Sequence, residues 1–378
     1  MIVMDIKLDN IFAFKNFHAN FSYPKKIVNS NIEEECLHRF PNFRYKKVNV
    51  LMGTNASGKT TLGRSFVAIF NFIQRNNPTL LVDSINDRTK EAFVSIDFVT
   101  NDTDGVTKLY RVSIKINNET DPVVYAAMNS VALKKGDNYE KCAARLDLLP
   151  LNYTVDVISL FDTLSAIGWY FSDLETKYID EQNHKGDETF INVLNLIIRT
   201  FDSFITNVQS IDDNSGSLLI QFSSGDSVIY HNGEFTKNIL SRGTESAIAI
   251  AEMITNVMLK RNGFYYFDKK FSYVHSALEK SILSVLIELL GEDQQMFFTT
   301  HNTDILDLDL PKHTFSFFKK NAADDENPIR LLSASEYMKK ESDSLRNAVE
   351  NDLFSVLPDE TYIYKILDLK GDKNEQEA

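Results

Sequence analysis

Apolar residues follow two rhythms along this chain, a period of two that marks strands and a spacing of three and four that marks helices. Ile6 and Leu8, then Ile11, Phe12, Phe14 and Phe17, alternate with polar positions and predict a strand hairpin at the start. The run Val48-Asn49-Val50-Leu51-Met52 is short and apolar enough for a buried strand, and Leu62, Phe66, Val67, Ile69, Phe70 and Ile73 behind it have helical spacing. Two more strands are predicted over 93–98 and 110–116, on either side of the turn-rich Asn101-Asp102-Thr103-Asp104-Gly105. Across 155–211 the spacing turns helical: Ile158, Leu160, Phe161 and Leu164, then Phe190, Val193, Leu194, Ile197, Ile198, Phe201, Phe204, Ile205 and Val208. This predicts a helical lobe. Residues 218–222 and 228–230, joined by Ser223-Ser224-Gly225-Asp226, predict a second hairpin.

Beyond residue 240 the rhythms alternate. A helix is predicted from Ser246, on Ala247, Ile248, Ile250, Ala251 and Ile254. A strand follows at Phe264-Tyr265-Tyr266-Phe267, a helix over 281–290, and a strand from Gln295 to Thr300. The expected fold is α/β, with a mixed central sheet, N-terminal antiparallel hairpins and a helical lobe. Residues 1–100 and 235–340 are expected to form the core, 101–234 the inserted hairpins and lobe, and 341–378 a C-terminal extension. Its charged end, 371–378, is expected to be disordered.

Composition narrows the function classes. With 43% hydrophobic and 25% charged residues among 378, the chain can bury a substantial core. Cys36 and Cys142 are too few for a disulfide framework or a zinc site, and Cys36 with His38 has no second ligand pair. No basic segment followed by a long apolar one opens the chain, and the apolar stretch 281–290 is too short for a bilayer and contains Glu288. A cytoplasmic protein without membrane residence is expected. A net charge of −13 argues against a general nucleic-acid coat, while a local basic groove stays open; the clusters Arg44-Tyr45-Lys46-Lys47 and Lys319-Lys320 read as solvated loop charges.

The chemistry concentrates at residues 53–60, Gly-Thr-Asn-Ala-Ser-Gly-Lys-Thr, a complete G-x-x-x-x-G-K-[ST] phosphate loop between the predicted strand and helix. Gly53 and Gly58 let backbone N–H groups turn inward onto phosphate oxygens, at a helix N-terminus that favours negative charge. Asn55, Ser57 and Thr61 belong to the same cradle. Lys59 is positioned to reach the β and γ phosphates, and Thr60 to offer a hydroxyl to Mg²⁺. The ligand expected is ATP with Mg²⁺, or GTP on the loop alone.

Further along come three more signals in order. Leu240-Ser241-Arg242-Gly243-Thr244-Glu245 starts a helix, where a serine hydroxyl and backbone donors make either an N-cap or a second anion site. Asp268 ends one apolar strand, suited to holding the Mg²⁺ shell, and His301 ends another.

This ordered set resembles the ABC-type ATPase family over essentially the whole folded chain, and within it the SMC, RecF and OLD-type branch. Asp268 through Val274-His275-Ser276 parallels that branch's D-E-x-x-x-x-L-H-P, Phe298-Thr299-Thr300-His301-Asn302 its T-T-H-[NS] segment, and the opening LDNIFAFKNF its first strand pair. ATPases of bacterial anti-phage systems of the Septu, PARIS and retron-associated type are similar in layout. The resemblance implies a P-loop ABC-ATPase head that forms head-to-tail dimers. In such a dimer Ser241 and Gly243 of one chain close over the γ-phosphate held by Gly58, Lys59 and Thr60 of the other. It also implies that His301 senses the γ-phosphate and that Asp268 anchors the Mg²⁺ shell. A transporter subunit fits poorly, because residues 61–240 separate the two motifs, and long SMC-type coiled coils have no heptad pattern here.

One position departs from the family. Where its catalytic glutamate follows the Mg²⁺ aspartate, this chain has Lys269. A cationic lysine does not orient or deprotonate water as a carboxylate does, so tight ATP binding with slow hydrolysis is expected. The alternatives are that Glu279 or Glu245 takes over the base's role, or that Lys269 is a substitution introduced by design. Three functions follow: a nucleotide-gated sensor and scaffold that controls a nuclease or toxin partner in defence, a RecF-like DNA-repair ATPase, or a nucleotide-stabilised structural dimer. Phe12 is a candidate for stacking on adenine.

Overall fold

The computed structural model describes residues 1–27, 30–165, 167–172, 187–211, 217–231, 234–236, 240–271, 273–321, 323–338, 340, 343–355 and 360–367. The charged end 371–378 lies outside them.

Six strands form the central sheet, in the order Ile329–Ser333, Phe315–Lys320, Val48–Met52, Gln295–Thr299, Phe264–Phe267, Trp169–Ser172. All neighbours run parallel except the first pair, which makes the sheet mixed. Alternate side chains of each strand enter different cores, as the period of two requires. Phe264, Tyr266 and Phe297 pack with Phe66 and Phe70 of the helix Lys59–Arg75. Tyr265, Phe267, Met296 and Phe298 face the opposite way, onto Met253 and Val257 of the helix Arg242–Met258 and Leu283 and Leu286 of the helix Ser276–Leu289.

The N-terminal hairpin forms as expected, Ile2–Asp9 against Phe17–Asn20. Together with Ala92–Asn101, Thr107–Ile116 and Val124–Ala132 it builds a five-stranded antiparallel sheet. Strand pairing therefore runs without a break across residue 101, where an insert was expected to start.

The stretch 155–211 is less helical than its spacing predicts. Val157–Phe161 and Glu188–Phe201 are helices, but Trp169–Ser172 is the edge strand of the central sheet and Ile205–Ser210 belongs to a four-stranded antiparallel sheet. The first case is a run of three aromatic residues and a buried serine, too short for periodicity to assign. The second has a physical origin: a register irregularity between Ile205 and Asn207 puts Ile205 and Val208 on one buried face despite their spacing of three. The hairpin of Leu218–Phe222 and Ser227–His231 continues this sheet. The lobe helix Glu188–Phe201 packs through Leu194 and Ile198 onto Ala247, Ile248 and Ala251 of the helix Arg242–Met258.

Lys46 and Lys47 are also not solvated loop charges. Both are buried, Lys46 donating to Ser333 Oγ at 3.2 Å and Lys47 to the Glu33 carbonyl at 2.8 Å, and burial pushes the Lys46 ammonium down to about 8. They lock the entrance to the strand Val48–Met52.

Candidate functional site

Parallel strands in register bring their carboxyl ends to one edge, where open α/β sheets bind ligands. Leu51 pairs with Thr299, and Phe298 with Phe267. The phosphate loop, Asp268 and Thr300-His301 therefore emerge side by side.

The loop's conformation depends on its glycines. Gly53 has φ 152° and Gly58 φ 119°, with Ala56 left-handed at 58° between them. A Cβ on Gly53 would stand 2.7 Å from Ser57 Oγ and 3.0 Å from the Phe318 carbonyl, and one on Gly58 would stand 3.3 Å from the rings of Phe14 and Phe318. Phe318 thus presses the loop closed from the neighbouring strand. Asn55 is exposed at the tip, Ser57 is buried, and Thr60 and Thr61 are half-buried at the helix start.

Lys59 is only 3% exposed, with Nζ curled back onto the carbonyls of Gly53 at 2.7 Å and Thr54 at 2.9 Å. Burial lowers its ammonium to about 8; Asp268 pulls it up and Lys269 pushes it further down. Such a cation, desolvated and held by loop carbonyls, suits a multiply charged anion seated in the loop.

Asp268 is fully buried, and both of its oxygens accept hydroxyl donors: Thr60 Oγ1 to Oδ2 at 2.6 Å and Thr299 Oγ1 to Oδ1 at 2.7 Å. Thr299 Oγ1 in turn accepts the Lys269 N–H at 3.0 Å. The donor set of one carboxylate and one hydroxyl is hard oxygen, as Mg²⁺ requires, and together with the glycine cradle it fits a Mg²⁺-nucleotide. Lys269 itself is exposed, at φ 49°.

His301 stands at the rim, exposed as a whole but with its ring partly desolvated; that desolvation first, then Lys59 and Lys269, lowers its pKa to about 4, against a hydrogen bond to the Gly53 backbone. It is neutral at pH 7, and its ring is tied to the phosphate loop. Thr300 Oγ1 donates to Glu279 Oε1 at 2.6 Å, and burial raises the Glu279 carboxyl. Glu279 lines a cavity of about 430 Å³ with Lys269, Thr299, Thr300, His301 and Asn302. Of the two substitute bases considered from sequence, Glu279 borders this cavity. Glu245 lines another, beside Arg242 and Tyr273.

Ser241 and Gly243 sit elsewhere. Ser241 caps its helix, Oγ accepting the Thr244 N–H at 3.0 Å, and is exposed, as is Arg242, which lies over the Tyr273 ring at 5.4 Å. A Cβ on Gly243 would meet the Tyr273 carbonyl at 3.2 Å. Among the described residues, no hydrogen bond joins Ser241 or Gly243 to the phosphate loop. Phe12, at φ 49° and half-buried, packs on the main core and donates its N–H to the Ser84 carbonyl.

Two supports escaped the sequence reading. Tyr266 OH donates to the Lys59 carbonyl at 2.5 Å and seats the helix start, yet in sequence it looks like any core aromatic. Thr299 was legible only as part of a Thr-Thr-His string.

No family model matches the chain, and no curated protein matches it in sequence. Solved structures do match in fold. An Smc head bound to the C-winged helix domain of ScpA aligns at TM-score 0.51 and 15% identity, over 89% of this chain and 100% of that one. An Smc head with an extended coiled coil bound to the C-terminal domain of ScpA, from Pyrococcus furiosus, aligns at TM-score 0.53 and 12% identity, over 89% and 98%. The chain has an SMC-head-like fold.

Proposed function

We propose that this protein binds Mg²⁺-ATP at the phosphate loop and uses it as a clasp between two copies of itself, hydrolysing it slowly. The observation that carries this reading is the buried Lys59 beside the Thr60–Asp268–Thr299 cluster, a preformed cation and oxygen-ligand pair at a glycine cradle. Gly53, Asn55, Ser57, Gly58, Lys59, Thr60 and Thr61 hold the phosphates, Thr60 and Asp268 the metal, and His301 the γ-phosphate. Ser241 and Gly243 serve the copy opposite, head to tail, which accounts for a helix start that is capped yet exposed. Bound Mg²⁺ supplies charge neutralisation for the phosphates. The chain's own residues supply position.

Lys269 makes hydrolysis slow, because it stands where the fold's water-activating carboxylate belongs. The biological reading is a nucleotide-gated scaffold of bacterial anti-phage defence, holding or releasing a nuclease or toxin partner. Its support is a head without arms, since no described helix exceeds the 17 residues of Lys59–Arg75 and Arg242–Met258, together with a net charge of −13 and no effector motif. The matched Smc heads are bound to ScpA domains, which supports a protein partner here.

ATP turnover and particle mass, measured beside Lys269→Glu, test this. Turnover is expected to rise by about 10²–10⁴ in the variant. Equal rates would end the slow-switch reading. Salt-dependent DNA binding on addition of ATP would favour a RecF-like repair role instead.

A further inference from the structure

The loop that carries His301 is held from two sides, and one of them is the C-terminal segment. Directly after His301, Asn302 caps the 3₁₀ turn Thr303–Asp307 by accepting the Asp304 N–H at 2.9 Å, and its Nδ2 donates to the Ser276 carbonyl at 3.1 Å. On the other side stands Arg346, from the helix Leu345–Glu350. Its Nε donates to Asp307 Oδ1 at 2.7 Å and its Nη2 to Asp307 Oδ2 at 2.6 Å, a bidentate pair. Nη2 also reaches Asp304 Oδ1 at 3.1 Å and the Thr303 carbonyl at 3.2 Å. One guanidinium thus gathers four acceptor atoms on three residues, Thr303, Asp304 and Asp307, of the turn that follows His301.

The segment that supplies it is firmly seated. Leu345 and Val349 are buried in the core beneath the sheet, and the buried Phe354 stacks on Phe317 at 4.1 Å and 14°. Phe317 pairs with Met52, the residue before Gly53. The C-terminal segment therefore touches the strand beside the phosphate loop and clamps the turn behind His301. Its continuation, Thr361–Tyr364 and the following turn, exposes Tyr362, Ile363, Tyr364, Ile366 and Leu367.

We infer that Arg346 is a positioning residue for His301, and that it links the C-terminal segment to γ-phosphate recognition. This rests on the nucleotide reading above. A clamp on the sensor turn affects only a ligand that carries a γ-phosphate, whereas a purely structural contact affects ATP and ADP alike. Loss of the clamp lets the turn, and His301 with it, drift from its hydrogen bond to Gly53.

The test is equilibrium binding of fluorescent ATP and ADP with Mg²⁺ to the full chain, for wild type, Arg346→Ala, Asp307→Asn, His301→Ala and the double variant Arg346→Ala/His301→Ala. Asp307→Asn weakens the same pair from the loop side at an exposed position, which covers the case where Arg346→Ala does not fold. Arg346→Ala is expected to lower the ATP-over-ADP preference about tenfold, as does loss of one hydrogen bond to a charged group, with ADP affinity unchanged. Adding it to His301→Ala is expected to change the preference no further. Equal loss of ATP and ADP affinity, or additive effects in the double variant, overturns the inference while the nucleotide reading stands. Failure of the wild type to bind either nucleotide overturns both.

Discussion

The two halves of the candidate site are built differently. Around the phosphate loop the central polar side chains are buried and already hydrogen-bonded: Lys59 onto loop carbonyls, Asp268 between two threonines, Thr300 onto Glu279, with His301 and Lys269 exposed at the rim. At the start of the helix Arg242–Met258, Ser241 and Arg242 face solvent, and the serine's contacts are with Thr244 of its own first turn. The first half has met its organisation cost during folding, so ligand binding need not order it. The second half is held by its helix cap and by Arg242, whose Nη1 donates to Tyr273 OH at 3.3 Å, and both Ser241 and Arg242 remain exposed. A chain that closed its own site would bury both. This contrast is consistent with the proposed composite site between two copies.

The strongest way to break the contrast is to empty the organised half. Lys59→Ala removes the buried ammonium and leaves the loop otherwise free to keep its shape. ATP affinity is expected to fall by roughly 100-fold, the scale of a charge-assisted contact, with no loss of thermal stability, because a desolvated cation is removed rather than a packed group. Unchanged affinity by titration calorimetry would mean that the loop does not read phosphate.

The exposed half is sharpened by a substitution that separates cap from contact. Ser241→Asp keeps a good N-cap, so the melting temperature should hold, whereas Ser241→Ala should cost about 1 kcal/mol. The aspartate also places a negative charge where a second copy's γ-phosphate would arrive. ATP-dependent association is expected to weaken more than about tenfold by analytical ultracentrifugation, with nucleotide affinity of the single chain retained. An intact ATP-dependent dimer in Ser241→Asp would make that serine a cap and nothing more.

How far this contrast was legible in sequence differs between the halves. The phosphate loop, its strand and its helix were readable because local rules fix them: a glycine pattern, an apolar run and a helical stripe. Asp268 and His301 were readable as strand ends. Their supports were not: Thr299 reaches Asp268 through parallel strand register and Arg346 reaches Asp304 and Asp307 from a packed C-terminal helix, and no local pattern encodes either, while Glu279 was named as a possible base without its bond to Thr300. The same limit explains Trp169–Ser172, whose identity as an edge strand depends on pairing with Phe264–Phe267 far along the chain. Ile205 and Val208 misled for the opposite reason, a bulge that mimics helical spacing.

A gentler test titrates the organised half instead of cutting it. Lys59 is lowered from 10.5 to about 8 in the folded chain, chiefly by burial. Phosphate beside it favours the ammonium, so the bound form holds its proton to higher pH than the free form. ATP affinity should then be flat below about pH 8 and fall above it, by up to about tenfold per pH unit, as the free protein loses a proton that the complex retains. The stability of the free chain should move the other way. Between about 8 and 10.5 the unfolded state binds the proton that the folded state has lost, so this group makes folding more favourable as pH rises. Lys59→Arg keeps a charge that does not titrate in this range, and its affinity should show no fall above pH 8. A fall of equal size in Lys59→Arg would assign the titration to another group and remove Lys59 from the binding step.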